Sequence, residues 1–130
     1  MNQDNRIEEF TDLNSWKSAH DLVLYIYTLT KKFPNSEKFG LTSQIQRAGV
    51  SITSNIAEGF SRNYYREKVQ FYYQAHGSLT EVKNQLILSR DLNYIDNTDF
   101  NLITEKLIVS QKLLRGLIKK TKSLVKLTIH

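Results

Sequence analysis

A single proline, Pro34, interrupts a chain of 130 residues that holds only five glycines. On either side of it, apolar residues return every three to four positions over stretches of about twenty residues and more, and no alternating Val/Ile-rich run occurs. So few breakers and so steady a helical period point to one class of fold: long amphipathic helices packed on one another.

The first helix is expected from about Asn14 to Lys32, capped by Asn14 or Ser15. Pro34 stops it, because proline disfavours helix in the residue before it. Trp16, Ala19, Val23, Ile26, Thr30 and Phe33 share one face, while Leu22, Tyr25 and Leu29 form a second apolar strip. A helix with two strips is expected to be buried on two sides. Residues 34–40 carry turn chemistry, and a second helix follows from about Leu41 to Arg62, with Leu41, Ile45, Ala48, Ile52 and Ile56 facing inward.

The third helix, about Tyr64 to Asn93, packs through Tyr65, Val69, Tyr72, Ala75, Leu79, Val82 and Leu86. Gly77 falls in its middle, where glycine costs up to ~1 kcal/mol against alanine; close approach by a neighbouring helix would compensate. A turn at residues 94–97 leads to the fourth helix, capped by Thr98 and running to about Leu127. Ile103, Leu107, Leu114, Leu117 and Leu124 face inward there, with Leu113 and Leu127 widening the stripe. Four helices with short loops predict an all-α, antiparallel up-down-up-down four-helix bundle over residues 14–130, preceded by a flexible N-terminal arm over residues 1–13.

The chain has no cysteine, which excludes disulfides, thiolate metal sites and a cysteine nucleophile. Its N-terminus is polar and acidic, unlike a signal peptide, and its longest apolar run, Leu22 to Tyr27, is far short of the ~20 residues of a membrane span. A soluble, cytoplasmic protein without membrane contact is the expectation. His20, His76 and His130 lie apart, and none has a carboxylate or second histidine three or four residues away on its own helix. With no phosphate-binding glycine loop and no nucleophile elbow either, no enzyme activity, metal or cofactor is expected.

Charge is the more informative signal. The net charge is +5, but from Thr104 to His130 seven Lys/Arg face a single acid, Glu105. Lys112, Arg115, Lys119, Lys122 and Lys126 are spaced three, four, three and four, so they form a ladder along one face of the fourth helix. Amines in such a row can track a phosphate backbone and release its counterions; a solvated face is the plainer reading. A second stripe, on helix two, runs Arg47, Ser51, Asn55, Glu58 and Arg62. Those side chains could line a cleft, or satisfy one another as an architectural network closed by Ser78 and Glu81 of helix three. The architectural reading is the one expected, with Gly59 admitting a neighbouring backbone or ending the helix. The aromatic run Tyr64, Tyr65, Phe71, Tyr72 and Tyr73, interleaved with Arg66 and Lys68, could stack single-stranded bases, though such residues more often serve core and interface.

The residues Trp16, Ala19, Leu22, Ile26-Tyr27, Thr30, Phe33-Pro34, Glu37, Gly40-Leu41, Gln44-Ile45, Arg47-Ala48, Ser51-Ile52 and Asn55-Ile56-Ala57-Glu58-Gly59, with the later Gly77-Ser78, Glu81 and Leu92-Asn93-Tyr94, resemble the bacterial four-helix-bundle family of 23S rRNA intervening-sequence proteins. That family is similar to the accessory proteins of diversity-generating retroelements, which form pentameric barrels and work with a reverse transcriptase and nucleic acid. The resemblance therefore implies a homopentamer, suggests RNA or DNA handling, and brings no catalytic activity. The chain departs from the family's pattern where members often read Arg-Arg-Ala-Ala, here Gln46-Arg47-Ala48-Gly49, and where they often have a proline, here Thr53.

Residues and resemblance together lead to a non-catalytic oligomeric adaptor that contacts RNA or DNA through the basic face of helix four. The alternative is a protein-interaction scaffold with no nucleic-acid role, whose basic surface meets a reverse transcriptase-like or other acidic protein. Support for assembly is sought in the second strip of helix one and the broad apolar face of helix four.

Overall fold

A computed structural model describes residues 6–128. Four α-helices account for most of them: α1 (Asn14–Thr30), α2 (Leu41–Ser61), α3 (Tyr65–Asp91) and α4 (Asn97–Thr128). Each helix packs on its two neighbours in the order α1–α2–α3–α4–α1. Residue pairs across each seam run in opposite senses. Ile26 lies beside Gly49 and Thr30 beside Gln46; Ser51 meets Ser78 while Phe60 meets Lys68. Arg90 meets Phe100 while Tyr73 meets Lys122, and Asp21 meets Lys106 while Lys32 meets Asp99. Successive helices are therefore antiparallel, and the fold is an all-α four-helix bundle.

The core is what the helical period dictates. Ala19, Leu22, Ile26, Ile45, Ile52, Ile56, Tyr72, Leu79, Val82, Ile103, Leu107 and Leu114 are all buried in one contiguous cluster. Both apolar strips of α1 enter it: Leu22 and Leu29 are buried with Ala19 and Ile26, and Tyr25 packs against them. The second strip thus belongs to the chain's own interior and gives no support to assembly. Five other expectations differ. Leu127, expected to widen the inward stripe of α4, is exposed near the end of that helix. Tyr65 is exposed, at the very start of α3. Gly77 has open space where a Cβ would sit, so no neighbour approaches it. The cap of α4 is Asp96, whose Oδ1 accepts from the backbone N–H of Asp99, in place of Thr98. No side chain caps α1, which starts after Leu13.

Part of the expected arm is docked. Phe10–Asp12 form a 3-10 turn against α1 and α2, Phe10 stands edge-on to Trp16 with ring centroids 5.5 Å apart, and Leu13 packs on the core. The packed unit therefore begins at Phe10, ahead of residue 14, while residues 1–5 lie outside the described part of the chain.

At one end of the bundle the two connections are tied together. Glu37 accepts through Oε1 from the backbone N–H of Leu41, the first residue of α2, at 3.1 Å, and through Oε2 from the Tyr94 hydroxyl at 2.8 Å. Asn93, the residue of positive φ (62°), ends α3; the Asn93 N–H donates to Arg90 O and the Tyr94 N–H to Ser89 O, which satisfies two terminal carbonyls.

Candidate nucleic-acid interface

The basic ladder lies on α4, and four of its five cations line two adjoining grooves between α3 and the second half of α4. The first, of about 630 Å³, is lined by Arg66, Val69, Gln70, Tyr73 and Gln74 of α3 and by Lys122, Val125 and Lys126 of α4. The second, of about 820 Å³, is lined by Tyr73 and His76 of α3 and by Arg115, Ile118, Lys119, Lys122, Ser123, Lys126 and Leu127. Tyr73, Lys122 and Lys126 stand on the ridge that the two share. Five cations converge here, and neither groove has a carboxylate in its wall.

Local sequence explains the arrangement. On α4, Leu107, Leu114, Ile118 and Thr121 are buried against the core. Arg115, Lys119, Lys122 and Lys126 follow one step round the helix and emerge on the flank that meets α3. The antiparallel turn at residues 92–96 folds the first half of α3 onto this second half of α4. Lys122 Nζ donates to the Tyr73 hydroxyl at 3.0 Å and lies 5.7 Å from the centre of the Tyr73 ring. Among the described residues Arg66, Arg115, Lys119, Lys122 and Lys126 have no ion-pair partner, whereas Lys106 on the same helix is held by Asp21 at 2.7 Å. Lys112 is exposed one turn before Arg115 and lines neither groove.

The aromatic run of α3 separates into parts. Tyr72 is buried, and burial pushes its hydroxyl pKa up to about 12. Phe71 is half-buried beneath the Arg62 guanidinium, 4.7 Å from ring centre to Cζ. Lys68 donates to the carbonyls of Gly59 and Phe60 at the end of α2, and burial lowers its pKa. Tyr73 is the member that reaches the ladder. The sequence places Tyr73 and Arg66 in the aromatic run but does not join that run to α4, and His76 looks like a lone histidine. Folding the two helices back at the turn is the step that brings all three to the cations.

The polar stripe of α2 divides in two. Ser51 Oγ and Ser78 Oγ share a hydrogen bond of 2.8 Å across the α2–α3 seam, and Asn55 Nδ2 donates to both the carbonyl and the hydroxyl of Ser51. Further along, Glu58 and Arg62 form a surface ion pair at 3.1 Å. Arg47 and Glu81 are exposed and make no ion pair or side-chain hydrogen bond among the described residues. The single network of seven residues is therefore a seam of three, a separate pair, and two solvated side chains. The reason is angular: Ser51 and Asn55 border the core face of α2, while Arg47 and Glu58 lie further round towards solvent.

Gly59 belongs to architecture. A Cβ there would sit 2.7 Å from Tyr72 Cε1 and 3.0 Å from Phe71 Cβ, so its lack of a side chain is what lets α3 lie against the last turn of α2. Among the described residues no three His, Asp or Glu side chains gather as metal ligands would, and no helix is long and apolar enough to cross a membrane.

Comparison with known proteins places this fold. The family model described as 23S rRNA-intervening sequence protein matches residues 11–116. The chain belongs to that family. A crystal structure at 1.70 Å of a protein of unknown function, from the S23 ribosomal protein family of Bacteroides thetaiotaomicron, superposes with a TM-score of 0.75. It is 25% identical and covers 81% of this chain and 98% of its own. No curated protein matches. The family match stops at Gly116, so of the cations lining the grooves only Arg66 and Arg115 fall inside it; Lys119, Lys122 and Lys126 ride on the part of α4 beyond.

Proposed function

We propose that this protein is a non-catalytic nucleic-acid-binding accessory protein, a self-associating adaptor whose contact surface is the pair of grooves between α3 and α4. The observation that carries the reading is the convergence of Arg66, Arg115, Lys119, Lys122 and Lys126 on one open surface without a carboxylate in its walls. Cations of one sign held this close create a field that a polyanion relieves, and each phosphate they neutralise frees condensed counterions. The family's description, which ties its members to an intervening sequence of 23S rRNA, agrees with an RNA ligand. The groups on offer are ammonium, guanidinium and phenol side chains, suited to holding an anion. A cysteine-free chain suits the reducing cytoplasm, where RNA is met.

Self-association, a homopentamer by resemblance, is part of the proposal. Its support is the apolar surface left open away from the grooves: Leu24 and Tyr27 on α1, Val50 on α2, and Leu102 and Val109 on α4. A ring of copies would multiply the basic surface. The scaffold reading, with an acidic protein such as a reverse transcriptase in place of RNA, uses the same charges and differs in its salt response.

The test is fluorescence anisotropy of a labelled structured RNA, titrated at low and at near-physiological salt. Wild type is expected to bind with affinity falling log-linearly in salt, with a slope near −0.7 to −0.9 per neutralised phosphate. The variant Arg115→Glu, Lys119→Glu, Lys122→Glu, Lys126→Glu is expected to stay helical and lose binding. Unchanged affinity in that variant would refute the groove as the contact surface.

A further inference from the structure

The geometry points to a single-stranded nucleic acid as the occupant of the grooves, with an unpaired base against Tyr73 and its phosphates on the cations to either side. This rests on the reading above and narrows it to one class of ligand.

The grooves are not simply basic. Their floors are apolar, with half-buried Val69 and Val125 in one and buried Ile118 in the other, while exposed Leu127 joins the charged side chains at the rim. A duplex keeps its bases stacked inside and offers a protein phosphates, sugars and groove edges. An apolar floor has little to gain from those. An unpaired strand offers flat faces that are poorly hydrated and stack on aromatic side chains whatever the base. Volumes of about 630 and 820 Å³ also suit ligands of the size of a nucleotide, since pockets for small organic molecules run from about 300 to 1,000 Å³.

Tyr73 stands where such a base would go. It is 49% exposed on the ridge between the two floors, so its ring is open to a ligand without any rearrangement of the core. The hydrogen bond from Lys122 tethers its hydroxyl and so limits how far the side chain swings away from α4. A ring already held in place loses less freedom when a base settles on it. Arg66 lies on one side of the ridge and Arg115 and Lys119 on the other, while Lys126 stands with Tyr73 and Lys122 on the ridge itself. Phosphates leading to and from a stacked nucleotide would therefore both meet cations. A ladder on an open helix face would serve any polyanion equally. An aromatic side chain set among the cations, above apolar floors, favours one with unpaired bases.

The test compares a labelled oligouridine with an RNA duplex of equal length, at equal salt. The single strand is expected to bind about tenfold tighter or more, the worth of one or two stacked bases. Tyr73→Ala is expected to weaken single-strand binding by roughly five- to a hundredfold, the measured range for removing a stacking aromatic, and to leave the salt slope unchanged because stacking releases no ions. Tyr73→Phe keeps the ring and is expected to stay within about threefold of wild type. Circular dichroism of each variant checks that the bundle is intact. Equal or tighter duplex binding, with Tyr73→Ala indistinguishable from wild type, overturns this inference while a steep salt slope keeps the groove reading. Polyglutamate bound as tightly as RNA, or no binding of either RNA, overturns both.

Discussion

At Gly59 an added Cβ would lie 2.7 Å from a ring carbon of buried Tyr72, whereas at Gly77 it would meet nothing within 4 Å. Both glycines sit in helices, yet the same substitution is expected to act with opposite sign. Gly77→Ala should stabilise the protein by up to ~1 kcal/mol, because alanine loses less backbone freedom in a helix. Gly59→Ala gains that term too, but overpacking against a core side chain costs about 1–3 kcal/mol and should win. Thermal or urea unfolding of the two variants checks the pair, and a Gly59→Ala protein as stable as wild type would contradict the close packing of α3 on α2. Glu58 illustrates a smaller effect. Its ion pair with Arg62 is a surface contact, with the two side chains about half exposed, so Glu58→Ala should cost no more than about 0.5 kcal/mol. Neither difference is legible in the sequence. Gly59 and Gly77 both read there as places where a neighbour could approach closely, which only Gly59 proves to be, and Glu58 reads as one member of an evenly spaced stripe. What decides each case is how near the adjacent helix comes.

At the scale of elements, the helices themselves were legible because their causes are local. The 3.6 period, Pro34 and the turn at residues 94–97 place all four to within about two residues at either end, as accurate as helix ends can be defined. The two strips of α1 were visible as well, but whether the second faced the core or a partner depends on how the neighbouring helices wrap around it; Leu22 and Leu29 show that they enclose it. The tie between the connections was not legible, since Glu37 and Tyr94 are 57 residues apart. It makes a pH-dependent prediction. The Tyr94 hydroxyl, and after it the Leu41 N–H, hold the Glu37 carboxyl below its ordinary 4.5, and the bond to Glu37 raises Tyr94 above its ordinary 10.0. A carboxylate with a lowered folded pKa contributes stability that is present above 4.5 and is lost as pH falls through the folded value. A phenol with a raised folded pKa contributes stability that is complete below 10.0 and is lost as pH rises through its folded value. Wild type should therefore exceed Tyr94→Phe in stability across the neutral range, and the gap should close under acid conditions. A gap that stays constant down to acid pH would show that the hydroxyl acts independently of the Glu37 carboxylate, and no gap at any pH would show that the ring, packed on Phe33, suffices without the hydrogen bond.

At the scale of the whole molecule, charge and fold make one surface. The sequence shows a basic ladder and an aromatic run as two separate features, with Tyr73 and Lys122 49 residues apart. The antiparallel α3–α4 hairpin turns them into one pair of grooves, with Arg66 and Tyr73 opposite Lys122 and Lys126. Three of the four groove-lining lysines and arginines on α4 lie beyond Gly116, where the family match ends. The second half of α4 therefore supplies three of the five groove cations from beyond the matched region. The direct measurement is lysine acetylation footprinting by mass spectrometry, with and without bound RNA. Protection of Lys119, Lys122 and Lys126, with Lys17 on α1 and Lys31 just after its end reacting equally in both samples, is the predicted result. Unchanged reactivity of the three α4 lysines, or protection confined to α1, would contradict the account.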